Sequence, residues 1–185
     1  MGTVDRRDFI LSLAAISAGG HAAAQSAPGT TILVLGDSMS AEYGLARGTG
    51  WVALLAQRLA QQKIAAEVVN ASISGDTTAG GRARLPALLA QHRPSVVVIE
   101  LGGNDALRGL PLQSTEANLT AMAQAARKAG ARVLLVGMQV PPNYGADYTR
   151  RFAALFHTVA QAQKAALVPF LLQGVADGPD RKSVV

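Results

Sequence analysis

Val96-Val97-Val98-Ile99-Glu100-Leu101-Gly102-Gly103-Asn104-Asp105 begins with four β-branched residues in a row and closes on two glycines, an amide and an acid. An unbroken β-branched run with no polar alternation predicts a short strand covered on both faces, as in a parallel sheet. On its amino-terminal side a helix is predicted over residues 79–92, with Leu85, Leu88 and Leu89 on one side and Pro94 as its stop. Before it come a strand over 67–70, a helix over 51–62 carrying Val52, Leu55 and Leu59 at helical spacing, and a strand over 31–35 ended by Gly36. On the other side Ser114 is placed to cap a helix running to Ala129, with Glu116 near its positive end and Gly130 closing it. A strand over 132–138, a helix over 148–166 and a strand over 167–171 complete the pattern. Strands that alternate with helices give βαβ units, right-handed crossovers and helices on both faces. The expected fold class is α/β: a flavodoxin-like three-layer αβα sandwich around a five-stranded parallel sheet.

The bulk properties agree with one domain. A chain of 185 residues suffices for one core and is short for two. Apolar residues make up 49% and charged residues 16%, a globular and not a disordered balance. Aromatics are only 4%, so Ala, Leu and Val must build the core. The absence of cysteine removes disulfides, thiolate metal sites and cysteine nucleophiles together. The formal charge of +5 comes from scattered basic residues that are not interleaved with aromatics. That pattern gives solubility and a mild attraction to anions, and argues against a nucleic-acid partner.

The first residues read as an address. Arg6 and Arg7 precede Asp8 and Phe9, an apolar run spans 10–18, and Ala22, Ala23 and Ala24 follow Gly19 and Gly20. This is a charged region, a short apolar region and an A-x-A cleavage site, with paired arginines resembling a twin-arginine export signal. The apolar run falls short of the ~20 residues that span a bilayer. Residues 1–24 are therefore expected to be a cleaved signal, and 25–185 a periplasmic or secreted domain without stable membrane insertion.

Working residues in open parallel sheets lie beyond the carboxyl ends of the strands. Three loops occupy such positions. Gly36-Asp37-Ser38-Met39-Ser40 presents a serine that could be an acyl-transfer nucleophile if a base removes its proton; a serine there is equally common as a helix cap. Asn70-Ala71-Ser72-Ile73-Ser74-Gly75-Asp76-Thr77 offers the Gly75 N–H, unobstructed by a side chain, or simply a turn glycine. Gly102-Gly103-Asn104-Asp105 allows a sharp bend from which Asn104 can aim its amide outward. Two donors converging near a serine form an oxyanion hole.

The three loops in this order, each after its own strand, resemble the SGNH or GDSL hydrolases, and within them the periplasmic acyl thioesterases, lysophospholipases and arylesterases. The resemblance spans about 31–171 and is carried by N-A-S-I-S-G-D-T (70–77), A-R-L-P-A-L-L (83–89), E-L-G-G-N-D (100–105) and P-x-N-Y-G (141–145). It implies Ser38 as nucleophile, with the Ser38 N–H, the Gly75 N–H and the Asn104 side chain binding the oxyanion. It implies a small acyl ester or thioester as substrate, no metal and no organic cofactor, and Leu107 and Leu110 bordering an acyl groove. Neither the family nor this chain carries a G-x-S-x-G elbow.

The same resemblance calls for a catalytic Asp and His in a D-x-x-H-P segment before a final helix. His21 falls in the export signal, His92 ends a helix beside Pro94, and His157 lies mid-helix beside Phe156; none precedes a proline with an aspartate three residues earlier. Asp177 and Asp180 do not match the family's Asp, and Asp180 to Val185 departs from its pattern. Those six residues are what a common sequencing-adapter read encodes, followed by a stop. The expectation is a chain truncated before its base and final helix, with a gene whose own frame continues. A glycan O-deacetylase of the same family, a non-catalytic ligand-binding α/β module and a flavodoxin-like cofactor binder are the competing readings. The last is weakened by a first loop without a phosphate-cradling pattern.

Overall fold

A computed structural model describes residues 29–174. The expected export signal and the carboxyl-terminal stretch from Asp180 expected to depart from the family lie outside the described residues. Five strands, β1 (Thr30–Gly36), β2 (Ala66–Asn70), β3 (Val96–Glu100), β4 (Arg132–Val136) and β5 (Ala166–Val168), form one parallel sheet in the order β2-β1-β3-β4-β5. The helices are α1 (Trp51–Gln61), α2 (Thr78–His92), the short α3 (Gly103–Leu107), α4 (Leu112–Lys128) and α5 (Ala146–Gln163), with one 3-10 turn at Pro142–Tyr144.

Alternation along the strands sorts the core into two layers. Leu33 and Leu35 of β1 and Val97 and Ile99 of β3 face Leu85, Leu89, Leu119, Met122, Phe152 and Phe156 of α2, α4 and α5. Ile32, Val34, Val96 and Val98 face the opposite way, against Val52 and Leu59 of α1. Every residue of β3 is buried, Val96 to Ile99 as their β-branched run predicts. Each such Val or Ile side chain contributes about 1.5–3 kcal/mol by leaving water. The α/β class, the five parallel strands and the helices on both faces are those expected from the sequence.

Several boundaries differ from expectation. The helix expected to start from Ser114 begins at Leu112 after Pro111, with no side-chain cap. Pro111 is already set near the φ of a helix start and contributes no N–H, so the chain turns into the helix there and Ser114 lies within it. β4 ends at Val136 and β5 at Val168, short of the predicted 138 and 171. Residues 103–107, expected as a loop, form one helical turn.

The register brings the site together. Gly36 at the end of β1 is level with Glu100 at the end of β3, and Asn70 at the end of β2 pairs with Val34 of β1. The chain leaves β1 toward β2 on one side and later returns to β3 on the other. The carboxyl ends of β1 and β3 therefore flank the point where strand order reverses, the place where open α/β sheets form their crevice.

Candidate functional site

Beyond Gly36 the backbone coils at once. Ser40 and Ala41 donate their N–H groups to the Asp37 carbonyl at 3.2 and 2.9 Å, and Met39 N–H donates to Asp37 Oδ1 at 3.1 Å. Ser38 sits half-buried at the head of this turn. Its position is fixed from below by Glu100, which has no solvent exposure. Glu100 Oε2 accepts the Ser40 hydroxyl at 2.6 Å and the Asp37 N–H at 3.4 Å. Trp51 Nε1 donates to Ser40 Oγ at 3.1 Å, and Asn70 Nδ2 donates to the Ser40 carbonyl at 2.7 Å. Gly36 must be glycine for this to close, since a Cβ there would lie 2.6 Å from Ser40 Oγ and 2.8 Å from Glu100 Oε2.

Gly75 occupies the third position of a turn closed by Asp76 N–H donating to the Ile73 carbonyl at 3.0 Å. Its φ of +78° is the left-handed value that a type II turn demands there and that glycine alone adopts freely. Ile73 N–H donates to the Gly36 carbonyl at 3.0 Å, seating this loop against the nucleophile turn. Arg108 Nη2 donates to the Gly75 carbonyl at 2.7 Å from the far side of the cleft.

Asn104 belongs to α3. Its amide does not aim freely outward, as the sequence suggested: Nδ2 donates to Asp37 Oδ2 at 2.9 Å. The buried Asp37 carboxylate draws that donor in, because an unpaired charge there would be costly. A primary amide carries two N–H donors, so one anchors the side chain and the other remains. Asp105, next in sequence, is buried and takes the Thr78 N–H at 2.9 Å, the Thr78 hydroxyl, and the Thr115 hydroxyl at 3.2 Å. It ties α3 to the first residue of α2 and to the first turn of α4.

Ser38, Gly75 and Asn104 thus stand on two loops and the short helix α3, which touch one another at one edge of the sheet. Among the described residues, neither the Ser38 N–H nor the Gly75 N–H finds a backbone or side-chain acceptor. The two carboxyls beneath are perturbed. Burial, then repulsion from Asp37, pushes Glu100 up to about 8. Burial likewise raises Asp37, against the lowering pull of the Met39 N–H and the Asn104 amide.

Neither described histidine reaches this edge. His92 ends a 15-residue helix that starts there, so it lies ~20 Å away at 1.5 Å per residue. His157 is exposed in the second half of α5. Sequence reasoning passed over Asp37, Ser40, Trp51, Asn70 and Glu100 as site residues. The available signal was a lone glutamate inside an apolar strand, since an unpaired acid is almost never fully buried without a reason.

Comparison with known proteins agrees with the fold. A model of the GDSL-like lipase/acylhydrolase family matches residues 34–184. The chain is 58% identical over 151 residues to the esterase TesA of Pseudomonas aeruginosa, covering 82% of this chain and 75% of that one. It is 45% identical over 151 residues to an Escherichia coli protein named thioesterase, protease and lysophospholipase, covering 82% of this chain and 71% of that one. A crystal structure of TesA superposes with a TM-score of 0.79 at 56% identity, over 82% of this chain and 84% of that chain. A family model matching most of the chain, relatives at 58% and 45% identity, and a parallel sheet shared with a solved esterase place the chain in the GDSL-like lipase/acylhydrolase family.

Proposed function

We propose that the chain hydrolyses carboxylic esters or thioesters through an acyl-Ser38 intermediate, with Ser38, Gly75 and Asn104 as its catalytic residues. Ser38 Oγ adds to the carbonyl carbon and gives up its proton to a base. The carbonyl oxygen, now an anion, is met by the Ser38 N–H, the Gly75 N–H and the second Asn104 amide hydrogen. Collapse expels the alcohol or thiol, and water releases the acid in a second cycle. The observation that carries this reading is the pair of backbone N–H groups, at Ser38 and Gly75, without an acceptor beside an amide held by Asp37. Buried or half-buried N–H groups are nearly always paired, so donors left open at a strand-end crevice are donors kept for a ligand. The base is assigned to the His of a D-x-x-H-P segment, which the resemblance requires and which none of His21, His92 and His157 supplies.

The substrate class follows from the rim. Ile73, on the loop of Gly75, and Leu107, at the end of α3, are 53% and 66% exposed. Large apolar groups at that exposure suit the acyl chain of an aryl ester, an acyl thioester or a lysophospholipid. Among the described residues no helix is long and apolar enough to cross a membrane. A periplasmic location after removal of residues 1–24 is part of the proposal.

The test is hydrolysis of a chromogenic short-chain aryl ester, by the chain and by the chain joined to a D-x-x-H-P segment. Turnover in the joined form should fall by more than ~10³-fold in Ser38→Ala, the scale on which triad members act. Equal rates with and without the Ser38 hydroxyl would remove the nucleophile assignment. Ligand affinity without turnover in either form would instead favour the ligand-binding module.

A further inference from the structure

Arg84 lies on the second turn of α2, outside the three loops, and its guanidinium reaches the end of β1 and both ends of the loop that carries Gly75. Nε donates to Asp76 Oδ2 at 2.8 Å. Nη1 donates to the Ala71 carbonyl, and Nη2 to the Gly36 carbonyl at 3.4 Å. Asp76 follows Gly75 in the chain, Ala71 opens the same loop, and Gly36 stands two residues before Ser38. One planar group therefore holds the loop of Gly75 at both ends and fastens it to the end of β1.

The pair is shielded: the Arg84 and Asp76 side chains are 20% and 12% exposed. Asp76 is itself fixed, since Oδ1 accepts the Thr77 N–H at 3.0 Å, and any side chain at Gly80 would collide with it. A surface ion pair would hold nothing so firmly. A lysine could replace the charge and not the fork: its ammonium is a single point on a flexible stem, whereas a guanidinium presents five donors in fixed directions.

We propose that Arg84 is a positioning residue for acyl transfer, setting the Gly75 N–H at its working distance from Ser38 by clamping Gly36, Ala71 and Asp76 together. Arg84 touches neither substrate nor the reacting atoms in this scheme. The inference rests on the assignment of Ser38 and Gly75 made above. An oxyanion donor acts on the transition state far more than on the ground-state ester, so displacing it lowers kcat and leaves KM nearly alone. Misplacement by about 1 Å can cost ~10²-fold.

The experiment compares Arg84→Lys and Arg84→Ala with the unaltered sequence, each as the full chain joined to a D-x-x-H-P segment, using 4-nitrophenyl butyrate for kcat and KM. Amide exchange is followed at Ile73 and Asp76. Arg84→Lys is expected to lose ~10- to 100-fold in kcat with KM within about threefold. Methylguanidinium added to Arg84→Ala should return part of the lost kcat, which a merely structural defect would not do. Unchanged kcat in Arg84→Lys overturns the proposal. So does a loss shared between kcat and melting temperature that methylguanidinium does not repair. If the joined chain with Arg84 intact shows no turnover, the esterase reading is what fails, and exchange alone decides the clamp. Faster exchange at both amides in Arg84→Lys supports the clamp, and unchanged protection at Ile73 and Asp76 overturns it.

Discussion

The interior of the sheet and its carboxyl edge are built on opposite principles. Along β3, Val96 to Ile99 are buried among hydrocarbon; Glu100, the next residue, is equally buried among polar groups. The contrast extends across the molecule. The buried polar or charged side chains of the described residues are Asp37, Ser40, Thr78, Glu100, Asp105 and Thr115, and all six sit at the carboxyl edge. The interior gains stability from every side chain removed from water. The edge gains little on balance, because desolvating a carboxyl group roughly cancels what its hydrogen bonds return. What the edge obtains is definition: each donor admits few geometries, so three loops that sterics alone would leave loose are held in one arrangement.

This contrast predicts two separable kinds of damage. The largest effect on folding should come from the interior. Leu33→Ala removes a fully buried side chain between α2 and the sheet, and should lower the unfolding free energy by ~2–5 kcal/mol in a denaturant titration. Turnover per folded molecule should stay the same. A loss of kcat matching the loss of stability would show that interior and edge are one unit.

The converse change is Asn104→Ala. It removes the donor to Asp37 and the one assigned to the oxyanion, and should reduce kcat by ~10²–10³-fold against the aryl ester. Its melting temperature should move less than that of Leu33→Ala, since Asn104 is only half-buried. A variant crippled in folding and normal in kcat would reverse the roles given to the two regions.

How much of this could be read from the chain follows the same division. The interior was legible because its signal is local. Four β-branched residues in sequence, or leucines at helical spacing, announce a buried strand or a helix face without knowledge of what they touch. The three loops were legible for a related reason, since glycines and a serine directly after strands mark the working end of a parallel sheet. The braces were not. Asp37 and Glu100 are separated by 63 residues, Ser40 and Glu100 by 60, and Arg84 and Gly36 by 48. The register of β1 against β3 makes the first two pairs neighbours, and the packing of α2 on the sheet makes the third. Asn104 shows the limit from the other side: its role as a donor could be expected, while its anchoring on Asp37 depends on a contact 67 residues away. Ser114 is a local error, where a good capping residue lost to a proline placed three residues earlier.

The smallest expected effect, and the most direct probe of the edge, is its response to pH. Glu100 in the fold holds its proton up to about 8, against an ordinary value of 4.5, because burial and the nearby Asp37 charge disfavour the carboxylate. Below pH 4.5 the group is protonated whether the chain is folded or not, and its neutral form is fully compatible with the fold. Between 4.5 and about 8 the unfolded chain releases this proton and the folded chain keeps it, so rising pH favours unfolding across that window. Asp37, also raised, acts in the same direction. Melting temperature should therefore fall as pH is raised from about 5 to about 8.5. Glu100→Gln keeps an oxygen to accept the Ser40 hydroxyl and has no proton to lose, so its melting temperature should fall less over the same range. Parallel slopes in the two proteins would mean that Glu100 is ionised at the edge, and that the Ser40 and Asp37 donors suffice to hold a buried charge.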